Sequence, residues 1–330
     1  MNRTHFDTFQ SLRQAIKTEL KWGSAGPMRD AVALALLPAA LQGPVDYTRL
    51  RDTAAFLKKN NAKLYFLRSS TRYAVAASLL TEGMDAEKFV TDISAARQSW
   101  KDLKLRRTSP YEGASLITLY FAGRGSIDRS VLSTVKMSFD MLKDAYFWHV
   151  GPLTLPALSL AIHHRSGAAT DGAIIFDTLR QEKFPSQYRM STSLIATLRQ
   201  TGHQETSRWL AEAYQAFRAR KMHTAGRRTT SLAVASLTDI APEAFATEVD
   251  EVRQHLKEGP FRSSNAGALA MNFTNMSRVI SLRDTASDDG NLAGFTTVIT
   301  ALQAYIAMQE QAAMVAVITA STAGAAAAAS

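Results

Sequence analysis

The chain has 330 residues, a formal charge of +9, 46% hydrophobic and 20% charged residues, so it can bury a sizeable core and is not disordered in bulk. It contains no cysteine, which excludes disulfides and cysteine-based metal or redox chemistry and fits a reducing cytoplasm.

The chain opens on a segment, residues 1–27, that reads as an N-terminal cap helix and its loop. Met1 to Asp7 has no apolar stretch of the kind a secretory signal needs, so a cytoplasmic location is expected. From residue 28 an alanine-rich apolar phrase recurs seven times, ending at Leu37, Leu80, Leu119, Ile162, Leu198, Leu237 and Phe273. The gaps are 43, 39, 43, 36, 39 and 36 residues, a mean of about 39. That period belongs to helical hairpins. Each phrase, such as Ala74-Val75-Ala76-Ala77-Ser78-Leu79-Leu80, is apolar nearly all round and reads as a helix covered on several sides.

A turn signal follows each of the first six phrases, for example Gly43-Pro44, Gly83 and Ala241-Pro242. Then comes an amphipathic helix. Phe89, Ile93, Ala96 and Trp100 share one spacing with Phe245, Val249, Val252 and Leu256, and with Leu210, Tyr214, Phe217 and Lys221. This spacing, i, i+4, i+7, i+11, is a single helical stripe. Ser109-Pro110-Tyr111-Glu112 reads as a capping box, and Asp85 and Ser126 as N-caps. The expected fold is all-α, a helical-hairpin repeat array over 28–282, either α-solenoid-like or a compact array. Residues 283–291 read as a linker and 292–330 as a C-terminal capping helix with a flexible Ala/Ser tail. That tail is too short and too weakly apolar to span a membrane.

The sequence carries no zinc helix, phosphate loop, dinucleotide fingerprint or nucleophile elbow, so no catalytic residue, metal or cofactor is expected. His163-His164 point about 100° apart on a helix and suit a helix C-terminus, where a positive imidazole is favoured, better than a metal. Asp288-Asp289 reads as solvated linker. Tyr146-Phe147-Trp148-His149 reads as an aromatic plug between hairpins, with a ligand platform as the alternative.

Charge placement is uneven. The six stretches where an amphipathic helix gives way to the next buried one carry +17 together, leaving −8 for the rest. In a solenoid they share one edge. Candidate binding residues on it are Arg68, Arg72, Arg106, Arg107, Arg189, Arg218, Arg220, Lys221, Arg227, Arg228 and Arg262. The plainer explanation is the helix macrodipole, which favours bases at C-termini by about 0.3–1 kcal/mol each. A surface for an acidic partner is the other.

The N-terminal third combines Leu12 to Trp22, Arg29, Phe56-Leu57-Lys58-Lys59, and Leu67 to Arg72 leading into Ala74-Val75-Ala76-Ala77. It resembles the bacterial domain-of-unknown-function family numbered four thousand and three. The resemblance implies a soluble bacterial protein and brings no active-site residues; Arg68 and Arg72 are its matched positions.

Three functions follow as expectations. The first is a scaffold that binds a protein or peptide, resting on the extended surfaces of helical arrays. The second is binding of nucleic acid or another polyanion by the basic edge. The third is an enzyme with an unrecognised site between hairpins.

Overall fold

The computed structural model describes residues 1–285 except 21–25, 61–63, 65, 66, 68–70, 106–110, 152, 187, 200, 223–227, 239 and 259–265. Fourteen α-helices and no strand occur among the described residues. Seven helices are amphipathic and form an outer layer: α1 (Arg3–Glu19), α3 (Tyr47–Lys59), α5 (Ala86–Asp102), α7 (Arg129–Ala145), α9 (Ala168–Gln181), α11 (His203–Ala219) and α13 (Pro242–Glu258). Seven carry the apolar phrases and form the inner layer: α2 (Gly26–Gln42), α4 (Thr71–Thr81), α6 (Tyr111–Ala122), α8 (Thr154–His164), α10 (Arg189–Ala196), α12 (Arg228–Ala235) and α14 (Ala266–Thr285).

The packing unit is an outer helix followed by an inner one. α1 packs on α2, α3 on α4, and so on to α13 on α14. The segment expected as a terminal cap is therefore the outer half of the first of seven hairpins. α14 reaches Thr285, three residues into the stretch expected as a linker; the remainder of that stretch, Asp288-Asp289 and the expected C-terminal helix and tail lie outside the described residues.

One stripe explains why the outer helices lie as they do. His5, Phe9, Leu12 and Ile16 in α1 repeat the spacing of Phe89, Ile93, Ala96 and Trp100 in α5, and all are buried. So do Ala168, Gly172, Ile175 and Leu179 in α9, and Phe245, Val249, Val252 and Leu256 in α13. In α11 the buried set is Thr206, Leu210, Ala213 and Phe217, one turn earlier than the sequence pattern indicated. Tyr214 is only half-buried and Lys221 lies beyond the helix. The spacing recurs at both registers in α11, and only small Thr206 and Ala213 mark the correct one.

Of the two forms the period allows, the described helices take the closed one. Inner helices pack in succession, α2 on α4, α6 on α8, α8 on α10, α10 on α12 and α12 on α14. α5 links α3, α6 and α7 between the α4 and α6 positions. α14 then returns to α2. At this closure Phe273 of α14 meets Phe6 edge-on at 5.5 Å and Phe9 at 5.3 Å, and the Met1 amino group lies 3.0 Å from Glu251.

Buried hydroxyls and amides stitch the inner helices to one another. Thr192 Oγ1 donates to Thr229 Oγ1 at 3.0 Å, Ser231 Oγ to Asn272 Oδ1 at 3.1 Å, and Asn275 Nδ2 to the Ser231 carbonyl at 2.9 Å. Such bonds are directional, so they fix helix register where an all-round apolar surface would let neighbours slide.

Candidate functional site

Short hairpin connections place every outer-helix C-terminus and the following inner-helix N-terminus at the same end of the array. The ends of the outer helices share a design. Ile16, Leu57, Trp100, Leu142, Leu179, Phe217 and Leu256 are all buried, and each is followed by a base: Lys17, Lys58, Lys101, Lys143, Arg180, Arg218 and Lys257. The gaps of 41, 43, 42, 37, 38 and 39 residues keep the period in register from one hairpin to the next. The buried residue anchors the last turn, and the base beside it meets the carbonyl end of the macrodipole.

Three of these helices close with a lysine in the left-handed region: Lys104 (φ 53°), Lys183 (φ 55°) and Lys221 (φ 54°). Each lysine N–H donates back to a carbonyl of the last turn, and so does the N–H of the apolar residue that follows. Leu105 reaches the Trp100 carbonyl at 3.2 Å, Phe184 the Leu179 carbonyl at 3.0 Å and Met222 the Phe217 carbonyl at 2.9 Å. This is the Schellman arrangement, with the apolar residue folded under the helix end. Leu105, Phe184 and Met222 are buried and the lysines exposed. Much of the positive charge at this end is thus part of helix termination.

The candidate basic residues divide accordingly. Arg218 stacks 5.9 Å from the Tyr214 ring, and Arg220 bonds the Ala216 carbonyl, Glu243 and Thr247, so both belong to the α11 cap region with Lys221. Arg72 and Arg228 lie in the first turns of α4 and α12 and are partly buried. Arg189 differs from these in being buried. It is only 7% exposed, with Nη2 bonded to the Phe184 carbonyl and its guanidinium 5.5 Å from the Phe176 ring. Tyr188, in the left-handed region at φ 63°, turns the chain so that Arg189 enters the packed layer instead of the surface. Arg68, Arg106, Arg107, Arg227 and Arg262 lie outside the described residues.

Capping elsewhere mixes agreement and revision. Asp85 accepts from the Lys88 N–H at 2.7 Å, as expected of an N-cap. At α7 the cap is Asp128, which accepts from the Ser130 N–H at 2.8 Å, while Ser126 bonds the Gly123 carbonyl. Glu112 accepts from Arg97 of α5 at 2.7 Å, and Ser109 lies outside the described residues.

The aromatic run at the α7–α8 junction does not plug the layers. Trp148 is 90% exposed and Phe147 59%, their rings 5.3 Å apart in a T arrangement. Only Tyr146 and His149 turn inward, against Phe176 at 5.1 and 4.9 Å. The other exposed large apolar side chains among the described residues are Met137, Met141 and Ile174, so all five lie on α7, α9 and the turn that follows α7. Matching the buried Leu142 with Leu179 sets Met137 level with Ile174 on neighbouring outer helices. The buried stripe, carried onto α7 and α9, is the signal that locates them, because Met137, Met141 and Ile174 all fall off it.

One turn beyond Ile174, Thr178 lines the edge of a groove of about 890 Å³ along the outer face of α11. Glu182, Arg208, Glu212 and Glu243 also line it. Its lining is acidic in a basic protein.

His163 and His164 end α8 with their rings 4.9 Å apart. Burial holds His163 below the usual imidazole range, against the opposing effect of its bond to the Ala122 carbonyl. Burial and the neighbouring His163 push His164 down to about 4. Desolvation and the adjacent imidazole thus work against the expected imidazolium at the helix end. No group of three or more His, Asp or Glu side chains that could hold a metal occurs among the described residues. No described helix is long and apolar enough to cross a membrane. No family model, curated protein or solved structure matches the chain.

Proposed function

We propose that this chain is a binding module that docks a protein segment on the α7–α9 face. The observation that carries the reading is the gathering of Met137, Met141, Phe147, Trp148 and Ile174 on two neighbouring outer helices and one turn. Contiguous exposed apolar side chains favour recognition surfaces, and aromatics supply their anchors. The adjoining acidic groove selects the partner's character: apolar anchors followed by basic residues. The resemblance of the N-terminal third to an uncharacterised family has no part in this reading.

The test is site-specific photo-crosslinking in cells, with the reactive residue at Met141 and, as a control, at Glu251 on the far side. A partner captured from position 141 alone, and lost when Ile174→Glu is added, supports the proposal. Equal capture from both positions, or capture indifferent to Ile174→Glu, refutes it. Sedimentation of the purified protein identifies the case in which the partner is a second copy.

Lys104, Lys183 and Lys221 support a second reading, polyanion binding at the end where the outer helices terminate. All three are exposed, and each occupies a position where glycine would be less strained. Fluorescence anisotropy with labelled single- and double-stranded oligonucleotides tests it. Binding should fall with salt at a log–log slope of about −0.9 per phosphate neutralised on a duplex. No binding at low salt leaves the lysines as helix caps.

A further inference from the structure

At the α7–α8 and α9–α10 junctions, His149, Arg180 and Arg189 form no ion pair with a carboxylate among the described residues. Arg189 is 93% buried by its 7% exposure, yet its Nε has no hydrogen-bond partner, and no ion pair to it occurs among the described residues. A buried guanidinium normally has its donors satisfied and its charge matched. Arg180, one turn beyond Phe176 on α9, is exposed and close enough for its charge to bear on both Arg189 and His149. His149 and Arg189 share the Phe176 ring, at 4.9 Å and 5.5 Å. The nearby carboxylate, Asp177, accepts from the Tyr146 hydroxyl at 2.9 Å.

α10 begins at Arg189 from Tyr188, a bulky residue in the left-handed region, and has no side-chain N-cap. A non-glycine residue there is strained, as it is at Lys104, Lys183 and Lys221. It delivers Arg189 to the amide end of α10, where anions are favoured.

We infer that Arg180, Arg189 and His149 form a binding site for a phosphate group at the start of α10. The guanidinium groups would donate to the phosphate oxygens and His149 would complete the donor set once protonated. Burial, then Arg189 and Arg180, hold the His149 pKa below the usual imidazole range, so a bound dianion would reverse the charge effect and raise it. Exposed Trp148, next in sequence to His149, gives an organic phosphate ester a ring to stack against. The site shares Trp148 with the proposed docking face, but its phosphate-binding groups do not depend on that reading and are testable on the purified chain alone.

The experiment is an NMR titration of the His149 ring in the full chain, in chloride and in inorganic phosphate at equal ionic strength. The expected result is a His149 pKa higher by about one unit or more in phosphate. Arg180→Gln should weaken phosphate binding about tenfold, the loss of one charge-assisted bond. Arg180 is exposed, so this variant keeps the fold where Arg189→Gln could lose it. Adenosine 5′-monophosphate distinguishes the source of the phosphate. Tighter binding that quenches tryptophan fluorescence, and loses that advantage in Trp148→Ala, supports an esterified ligand; binding no tighter than inorganic phosphate supports the free ion. Identical His149 titrations in both salts, with phosphate affinity unchanged in Arg180→Gln, overturn the site.

Discussion

His5 Nδ1 lies 2.7 Å from Ser277 Oγ, a buried contact between residues 272 positions apart. It joins the first outer helix to the last inner one, beside the Phe6–Phe273 and Phe9–Phe273 ring contacts. Closure gives each terminal hairpin a second neighbour, which an open array denies it.

Phe273→Ala should cost about 3–5 kcal/mol, the range for removing a fully buried aromatic. Its distinguishing consequence is spatial. Amide exchange should rise in α1 and α13 together, although they lie at opposite ends of the described chain. A rise confined to α13 and α14 would show that the closure contributes nothing to α1.

The Arg13–Asp30 pair joins α1 to α2 at 2.7 Å, with both side chains buried and Arg29 3.7 Å from the same carboxylate. Burial pushes Asp30 up and Arg13 down, and each is drawn back by the other. Arg13→Leu should destabilise the chain by about 3–5 kcal/mol, because it breaks a buried pair. Urea denaturation measures this. A cost below about 1 kcal/mol would place the pair among ordinary surface bridges.

Lys104→Gly, Lys183→Gly and Lys221→Gly should each leave the chain as stable or raise stability by about 1 kcal/mol, by relieving a left-handed side chain. The same substitutions to Val should destabilise it. Thermal denaturation distinguishes these directions. Should the triple glycine variant remain folded and lose oligonucleotide binding, the lysines serve a ligand as well as the helix ends.

Stability should fall as the pH drops from about 6.5 towards 4, partly through His163 and His164. Their folded values are depressed, so in that window the unfolded chain binds more protons than the folded one. The contribution is present above the unfolded value and is lost as pH falls through the folded one. His163→Gln and His164→Gln should flatten the decline in urea midpoint across this range. A slope identical to the parent's would remove these histidines from the acid response.

Helix termination and the proposed phosphate site draw on the same residue types at this end of the array, which is why basic composition alone separates them poorly. Arg218 and Arg220 are engaged by Tyr214, Glu243 and Thr247, whereas Arg189 shares the Phe176 ring with His149 and the charge of Arg180 bears on both. Only the three-dimensional neighbours distinguish a cap from a candidate site.

What the sequence determined was local. Helices, their period, the all-round apolar inner segments and the Asp85 cap follow from residue type and spacing along a few turns, and such patterns act before distant chain segments meet. The doubled stripe in α11 marks the limit, since one spacing fits two registers and packing selects between them. Closure through Phe273, the burial of Arg189 and the exposure of Trp148 were decided by tertiary structure. Closure depends on small rotations between neighbouring helices that accumulate over seven hairpins. Arg189 and Trp148 depend on how two junctions meet across Phe176, a contact between segments that no periodicity along the chain encodes.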